Sequence, residues 1–277
     1  MTNKVVTNPP LDVRTIDDIR SKARSKLIEY CKLNDVIGAQ IFSILEINNK
    51  VLYYPLEDDD VWGFSEKIKG ISFVCINTSI AYDKQVFVAT HELYHLWFNN
   101  NAELILSKDL DEKENSQDKI SINERKANRF AAEFLVAEEL LLQEIKTYSI
   151  DKYKIEVKDV IKLSNLFVVP YKMMVKRLLE IKVIKNDAYL KLISLTDTQT
   201  EIWRNRLGLS LPVRENKIGL DNLIDKGMEL YEKKLISIDK LEYLLGFAQL
   251  SLEQMGIVER NDYVPPTDEE FAELMGE

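Results

Sequence analysis

Two histidines stand four residues apart in one pentapeptide, His91-Glu92-Leu93-Tyr94-His95, and the 277-residue chain contains no other histidine. On a helix this spacing places both imidazoles on the same side, one turn apart, where they can bind a single metal ion. Glu92 is rotated about 100° from His91 and can flank the open coordination position. There it would take a proton from the water that attacks a peptide carbonyl. The pentapeptide therefore predicts the chemistry of a zinc metallopeptidase.

The third metal ligand has to come from elsewhere in the chain and cannot be a histidine. Asn101 stands where the metzincin pattern requires its third histidine. A carboxylate is the first choice for the ligand and a cysteine the second. Glu124 and Asn128 lie one turn apart in a second predicted helix, so a glutamate ligand there would be followed by a side chain able to hold the outer nitrogen of a ligand histidine. The alternative for Glu124 is a solvated charge near a helix N-terminus.

The elements around the motif follow from the hydrophobic periodicity of the sequence. Strands are predicted at 40–47, 51–56, 61–66 and 71–77. Helices are predicted at 14–33, 82–99, 120–145, 157–165, 171–184 and, as two patterns, within 219–257, with a polar loop at 100–119. The helix at 82–99 is apolar on both sides of the motif, which argues against the alternative of a chance motif on a metal-free surface helix. Polar groups in a buried helix need a partner, and a metal would supply one.

The sequence does not assign the group that stabilises the oxyanion or the surface that binds the substrate. With both histidines committed to the metal, the group that stabilises the oxyanion has to be Tyr, Arg, Lys, Asn or a backbone N–H. Tyr94 lies within the motif, but its position favours the core. As a hypothesis, the strand at 71–77 offers an edge to which an extended substrate segment could add.

The two motifs together closely resemble the ImmA/IrrE family of metallopeptidases. The first is the histidine pentapeptide. The second reads Glu124-x-x-Ala127-Asn128-x-Phe130-Ala131-x-Glu133-Phe134-Leu135, against a family pattern ExxANxFAxELLMP. The resemblance covers about residues 15–185. Leu135-Val136-Ala137 departs from the family's Leu-Met-Pro, which leaves the end of that helix in question.

The resemblance implies a fold, a set of site residues and a biological role. The fold would be α+β: a zincin-like metallopeptidase domain with a small twisted sheet, an HExxH helix and a second ligand-bearing helix. His91, His95 and Glu124 would be the metal ligands, Glu92 the catalytic base and Asn128 a helper of a ligand histidine. Family members typically cleave or inactivate a helix-turn-helix repressor of a mobile element or stress regulon, and thereby turn on transcription.

The nature of the ligands also limits the metal. Two imidazoles, one carboxylate and a water suit Zn²⁺ best, although Mn²⁺ or Fe²⁺ can occupy the same ligands.

Composition excludes several other classes of protein. No run of about 18 apolar residues exists that could cross a membrane, and the N-terminus lacks the apolar stretch of a secretory signal. Two cysteines, Cys31 and Cys75, do not make a disulfide scaffold and are expected to be small buried hydrophobes. We therefore expect a soluble cytoplasmic protein. The net charge of −9 argues against nucleic acid as the main partner.

One segment differs from the acidic remainder of the chain. Residues 151–187 contain nine Lys or Arg and five Asp or Glu, a net charge of +4, in two helices whose arrangement resembles a helix-turn-helix. The turn lacks glycine and both helices are mostly apolar. These features favour a packing or repressor-docking subdomain over direct DNA binding.

The chain thus divides into three predicted parts: the metallopeptidase domain at 1–148, helix-turn-helix-like helices at 149–190, and a mostly helical C-terminal domain of unknown role at 191–277. The sequence favours a zinc-dependent endopeptidase acting on a protein repressor. One alternative is a non-proteolytic anti-repressor with a structural metal, and another is a DNA-binding regulator with a vestigial peptidase fold. The sequence does not indicate an oligomeric state.

Overall fold

The computed structural model describes residues 11–30, 32–99, 105–108, 121–210 and 213–257. The predictions for Cys31 and for most of the loop at 100–119 lie outside these residues. Cys75 is buried and free, as expected.

The described residues form a small sheet surrounded by helices, which confirms the predicted α+β class. The strands are β1 (Lys50–Tyr54), β2 (Val61–Ile68), β3 (Ile71–Asn77) and β4 (Ile105–Lys108). The helices are α1 (Val13–Glu29), α2 (Gln40–Glu46), α3 (Tyr82–Phe98), α4 (Ile122–Leu135), α5 (Glu138–Thr147), α6 (Val157–Phe167), α7 (Tyr171–Glu180), α8 (Asn186–Ile193), α9 (Asp197–Arg206), α10 (Leu223–Glu232) and α11 (Ile238–Phe247).

The sheet has the strand order β1-β3-β2-β4. Strand β3 is parallel to β1 and antiparallel to β2, and β2 is antiparallel to β4. Because β3 is hydrogen-bonded on both sides, it offers no edge to a substrate. The hypothesis of strand addition to residues 71–77 is therefore wrong. Whether a strand lies at the centre or at the edge of a sheet cannot be seen in its own sequence.

The predicted strand at 40–47 was also wrong, because these residues form helix α2. Its buried side chains are Ile41, Ile44 and Leu45, a spacing of three and four residues that matches a helical face. The β-branched residues favoured a strand locally, but the burial of this face against α3 outweighs that preference.

The single helix predicted at 120–145 is two helices, α4 and α5, with a break at Val136 and Ala137. Val136 leaves the helical conformation (φ −131°, ψ 70°), and its carbonyl accepts a hydrogen bond of 2.9 Å from Nε of Arg177 on α7. The helix thus ends at Leu135 although the proline of the family pattern is missing. A distant arginine, instead of a local signal, satisfies a carbonyl that the helix leaves without a partner.

Helices α6 and α7 are joined by three residues, Val168 to Pro170, as a compact helix-turn-helix. Val168 takes the left-handed conformation (φ 54°) that glycine would normally occupy. The apolar faces of both helices belong to the same continuous core as the sheet, α3 and α4.

The chain divides into two compact units, one ending at Asp221 and the other beginning at Asn222. In the second unit, α10 and α11 pack together, and α11 buries Leu241 and Leu245. The three-part division predicted from the sequence stays a prediction. Among the described residues, no helix combines the length and apolar character that a membrane crossing requires.

Candidate metal centre

Helix α3 carries both histidines through the interior of the first unit. It packs against β2 and β3 on one side and against α4 on another. Every residue from Gln85 to His95 is buried, because apolar residues surround the motif on all sides of the helix. The imidazoles of His91 and His95 therefore lie in a site that is largely closed to water, where their polar nitrogens need partners.

Helix α4 brings the acidic side chain to this site. Ser121 caps its N-terminus by accepting a hydrogen bond of 3.2 Å from the backbone N–H of Glu124, which places Glu124 in the first turn. The small residues Ala127 and Ala131 are fully buried, as expected for a helix that approaches α3 closely. The first turn also favours a negative charge through the helix dipole.

The donor atoms of three residues converge at almost equal separations. Nε2 of His91 and Nε2 of His95 are 3.1 Å apart. Each of these nitrogens also lies 3.1 Å from a carboxylate oxygen of Glu124. Ligand atoms bound tetrahedrally to one zinc ion at the usual bond lengths are roughly 3.3 Å apart. Glu124 Oε1, the oxygen that faces Nε2 of His95, is moreover buried without a hydrogen bond of good geometry among the described residues. This donor set fits a divalent metal ion.

The electrostatics of the cluster also favour a bound cation. Burial raises the pKa of Glu124, but the neighbouring His91 and His95 outweigh this effect and lower the pKa to about 2. Burial lowers the pKa of His91, but Glu124 and the charge of Glu92 raise it by more. Glu124 is thus held in its ionised, ligating form. Glu124 and Glu92 together favour a positive charge at the histidine nitrogens.

The orientation of the His91 imidazole is fixed from outside the cluster. Asn128 Oδ1 lies 2.8 Å from Nδ1 of His91. An amide oxygen can only accept, so the proton of His91 is placed on Nδ1 and the lone pair of Nε2 faces the cluster. The amide nitrogen of Asn99, a residue that the sequence did not single out, lies 3.4 Å from Nδ1 of His95. Its spacing of four residues from His95 on the same helix was the available signal.

Glu92 lies beside the cluster and outside the donor set. Its side chain is fully buried, and its Oε2 accepts a hydrogen bond of 2.6 Å from the hydroxyl of Ser65 on β2. Ser65 was not singled out in the sequence, because nothing in a strand predicts which helix residue it will face.

Tyr94 lies in an aromatic cluster with Phe98 and Phe130, and its ring meets that of His95 edge to face. It is 5% exposed, so the expectation that this position faces the core is confirmed.

The structure thus brings together all five residues singled out from the sequence, His91, Glu92, His95, Glu124 and Asn128, although Glu124 is separated from His95 by 29 positions of the chain. The fold and this donor set are those of a metallopeptidase domain. Residues 46–179 match the family described as Peptidase_M78, the IrrE N-terminal-like domain. The match confirms the resemblance to ImmA/IrrE. A comparison with curated proteins finds no match to the chain.

Proposed function

We propose that this protein is a zinc-dependent endopeptidase. The observation that carries the proposal is the convergence of two imidazole nitrogens and one carboxylate within hydrogen-bond distances of each other, with a buried glutamate directly beside them. A binding module without catalysis has no need of that additional acid.

In the proposed mechanism, His91, His95 and Glu124 hold the metal ion. When bound, the ion supplies a Lewis acid that polarises a carbonyl and acidifies a water. Asn128 keeps the lone pair of His91 aimed at the site. Glu92 accepts a proton from the attacking water and returns it to the nitrogen of the amine that leaves. The peptide bond is thereby hydrolysed to a carboxylic acid and an amine.

We further propose that the substrate is a helix-turn-helix repressor, whose cleavage derepresses transcription. The support for this step is the family of residues 46–179 and the role that the resemblance implies. Incubation with the small helix-turn-helix protein encoded nearest to this one, followed by mass spectrometry, tests it. We expect two fragments, and an intact repressor after removal of the metal would be the matching control.

The zinc content of the purified protein gives a direct test of the donor set. We expect the purified protein to bind one equivalent of Zn²⁺, and the variant His95→Ala to lose it, because three ligands become two. Elemental analysis of both proteins measures this, with Mn²⁺ and Fe²⁺ determined in the same samples. Asn123→Ala, an exposed change on α4, is the control. Full metal content in His95→Ala would contradict the assignment.

The hydrogen bond from His91 to Asn128 predicts a smaller effect. Asn128→Ala should weaken zinc binding by about 10- to 100-fold, because the imidazole loses the group that fixes its tautomer. A competition titration against a chromophoric chelator measures this affinity, again with Asn123→Ala beside it. An unchanged affinity would show that Asn128 does not orient His91.

A further inference from the structure

Strand β2 and helix α3 meet along a close contact that includes Glu92. A Cβ atom added to Gly63 would lie 2.7 Å from the carbonyl oxygen of Cys75 and 3.1 Å from a methyl group of Val88. The absence of a side chain at position 63 therefore lets α3 lie directly on β2. A residue larger than glycine would have to push away β3, which carries Cys75, or α3, which carries Val88.

The contact between β2 and α3 continues to the next residues that face each other, Ser65 on the strand and Glu92 on the helix. Four residues along a helix advance about 6 Å, and two residues along a strand advance about 6.7 Å. Gly63 and Ser65 on β2 are therefore matched in spacing to Val88 and Glu92 on α3. The glycine brings the helix close enough for a side chain as short as serine to reach the carboxylate.

The bond that results joins two groups closed to water. Ser65 is 4% exposed and Glu92 0%, and the hydroxyl donates to Oε2 at 2.6 Å, a length typical of a hydrogen bond to a charged carboxylate. Carboxyl oxygens buried this deeply need hydrogen-bond donors to replace the water that burial removes. Fixing one oxygen by a short bond also fixes the plane of the carboxylate and the direction of its other oxygen.

We propose that Ser65 is a positioning residue, which holds the Glu92 carboxylate in the orientation that faces the metal centre. Ser65 lies outside the donor set, and its hydroxyl bonds to Glu92, so it acts through Glu92. This inference rests on the proposed peptidase function.

The kinetic consequence is a loss in kcat with little change in KM. Ser65→Ala should lower kcat for repressor cleavage by about 10- to 100-fold, since small displacements of a catalytic group have effects of this size. We expect KM to stay within about twofold and the zinc content to stay at one equivalent, because the donor set is untouched. Ser65→Thr keeps the hydroxyl and should restore most of the rate. Ser164→Ala removes a similarly buried hydroxyl that donates to the backbone carbonyl of Ile161, and should leave kcat unchanged.

A second readout requires neither metal nor substrate. In metal-free protein, Ser65→Ala should lower the unfolding midpoint by about 4 °C, because a buried carboxylate loses its donor. In the background of Glu92→Met, which has a similar volume and no acceptor, the same change should have no effect or raise the midpoint.

Each outcome has a separate meaning. Equal shifts of the midpoint in both backgrounds would show that the hydroxyl does not hold the carboxylate, and would overturn the proposal. Full kcat in Ser65→Ala, or no rescue by a Ser65→Thr variant that folds with the wild-type midpoint, would also overturn it. If the wild-type protein itself cleaves no repressor, the proposed function fails and with it the catalytic role of Ser65. The midpoints would still show whether Ser65 holds Glu92.

Discussion

Glu92→Gln should stop repressor cleavage while the metal stays bound. A glutamine amide cannot accept the proton of the attacking water, and the loss of a general base of this kind typically costs about 100- to 10,000-fold in rate. The metal should stay because Glu92 lies outside the donor set. The fold should also survive, because the glutamine is close in shape and its carbonyl can still accept the hydrogen bond from Ser65.

The measurement combines three quantities on the same protein: the cleavage rate, the zinc content and transcription from a repressor-controlled reporter. Glu124→Gln serves as the contrast, since it should lose both metal and activity. If the reporter remains derepressed by Glu92→Gln, the protein acts by binding the repressor without cleaving it. The endopeptidase proposal would then fail, and the anti-repressor alternative would replace it.

Arg177→Met should be the most destabilising of the proposed changes. Arg177 is fully buried, and its guanidinium donates to Glu133 at 2.5 Å and to the carbonyl of Val136 at 2.9 Å. Removing one partner of a buried ion pair typically costs about 3–5 kcal/mol. We expect about 3 kcal/mol, the low end of that range, because Arg129 also bonds Glu133. This is a large part of the stability of a typical domain.

Urea unfolding of the metal-free protein measures the change. Arg24→Met is the matched control, since its ion pair with Glu139 is exposed and should contribute less than about 1 kcal/mol. A loss below about 1 kcal/mol in Arg177→Met would show that the buried network does not hold α4 and α7 together.

The same network predicts a dependence on pH. Burial raises the pKa of Glu133, but Arg177 and Arg129 outweigh this effect and lower it below the ordinary value of 4.5. A carboxyl whose folded pKa is lowered stabilises the protein above its unfolded pKa, and this contribution is lost as the pH falls through the folded value. The difference in stability between wild type and Arg177→Met should therefore narrow below about pH 4.5.

The sequence predicts the geometry correctly where the spacing along one element decides it. The pair His91 and His95 needs only a helix to converge, and so does the placement of Glu124 and Asn128 on one face of α4. The strands at 51–56, 61–66 and 71–77 and the helix at 82–99 were also predicted close to their observed bounds. Each of these patterns is repeated within a few residues, so local periodicity is sufficient to find it.

The errors occurred where a distant residue decides the local structure. Residues 40–47 are rich in isoleucine, which favours a strand, but their burial against α3 makes them a helix. The break between α4 and α5 is stabilised by Arg177, more than forty positions away. The central place of β3 depends on pairing with β1 on one side and β2 on the other, which its own sequence does not contain.

The sequence by itself identified the candidate groups: two histidines and one glutamate in a single motif, a third ligand that could not be histidine, and Glu124 as its best candidate. The tertiary structure decided the distances and the supporting contacts. Close packing of small residues brings α4 onto α3, and the contact at Gly63 brings Ser65 to Glu92. Such contacts join residues that are far apart in the chain, and their geometry depends on how whole elements pack, which no local spacing specifies.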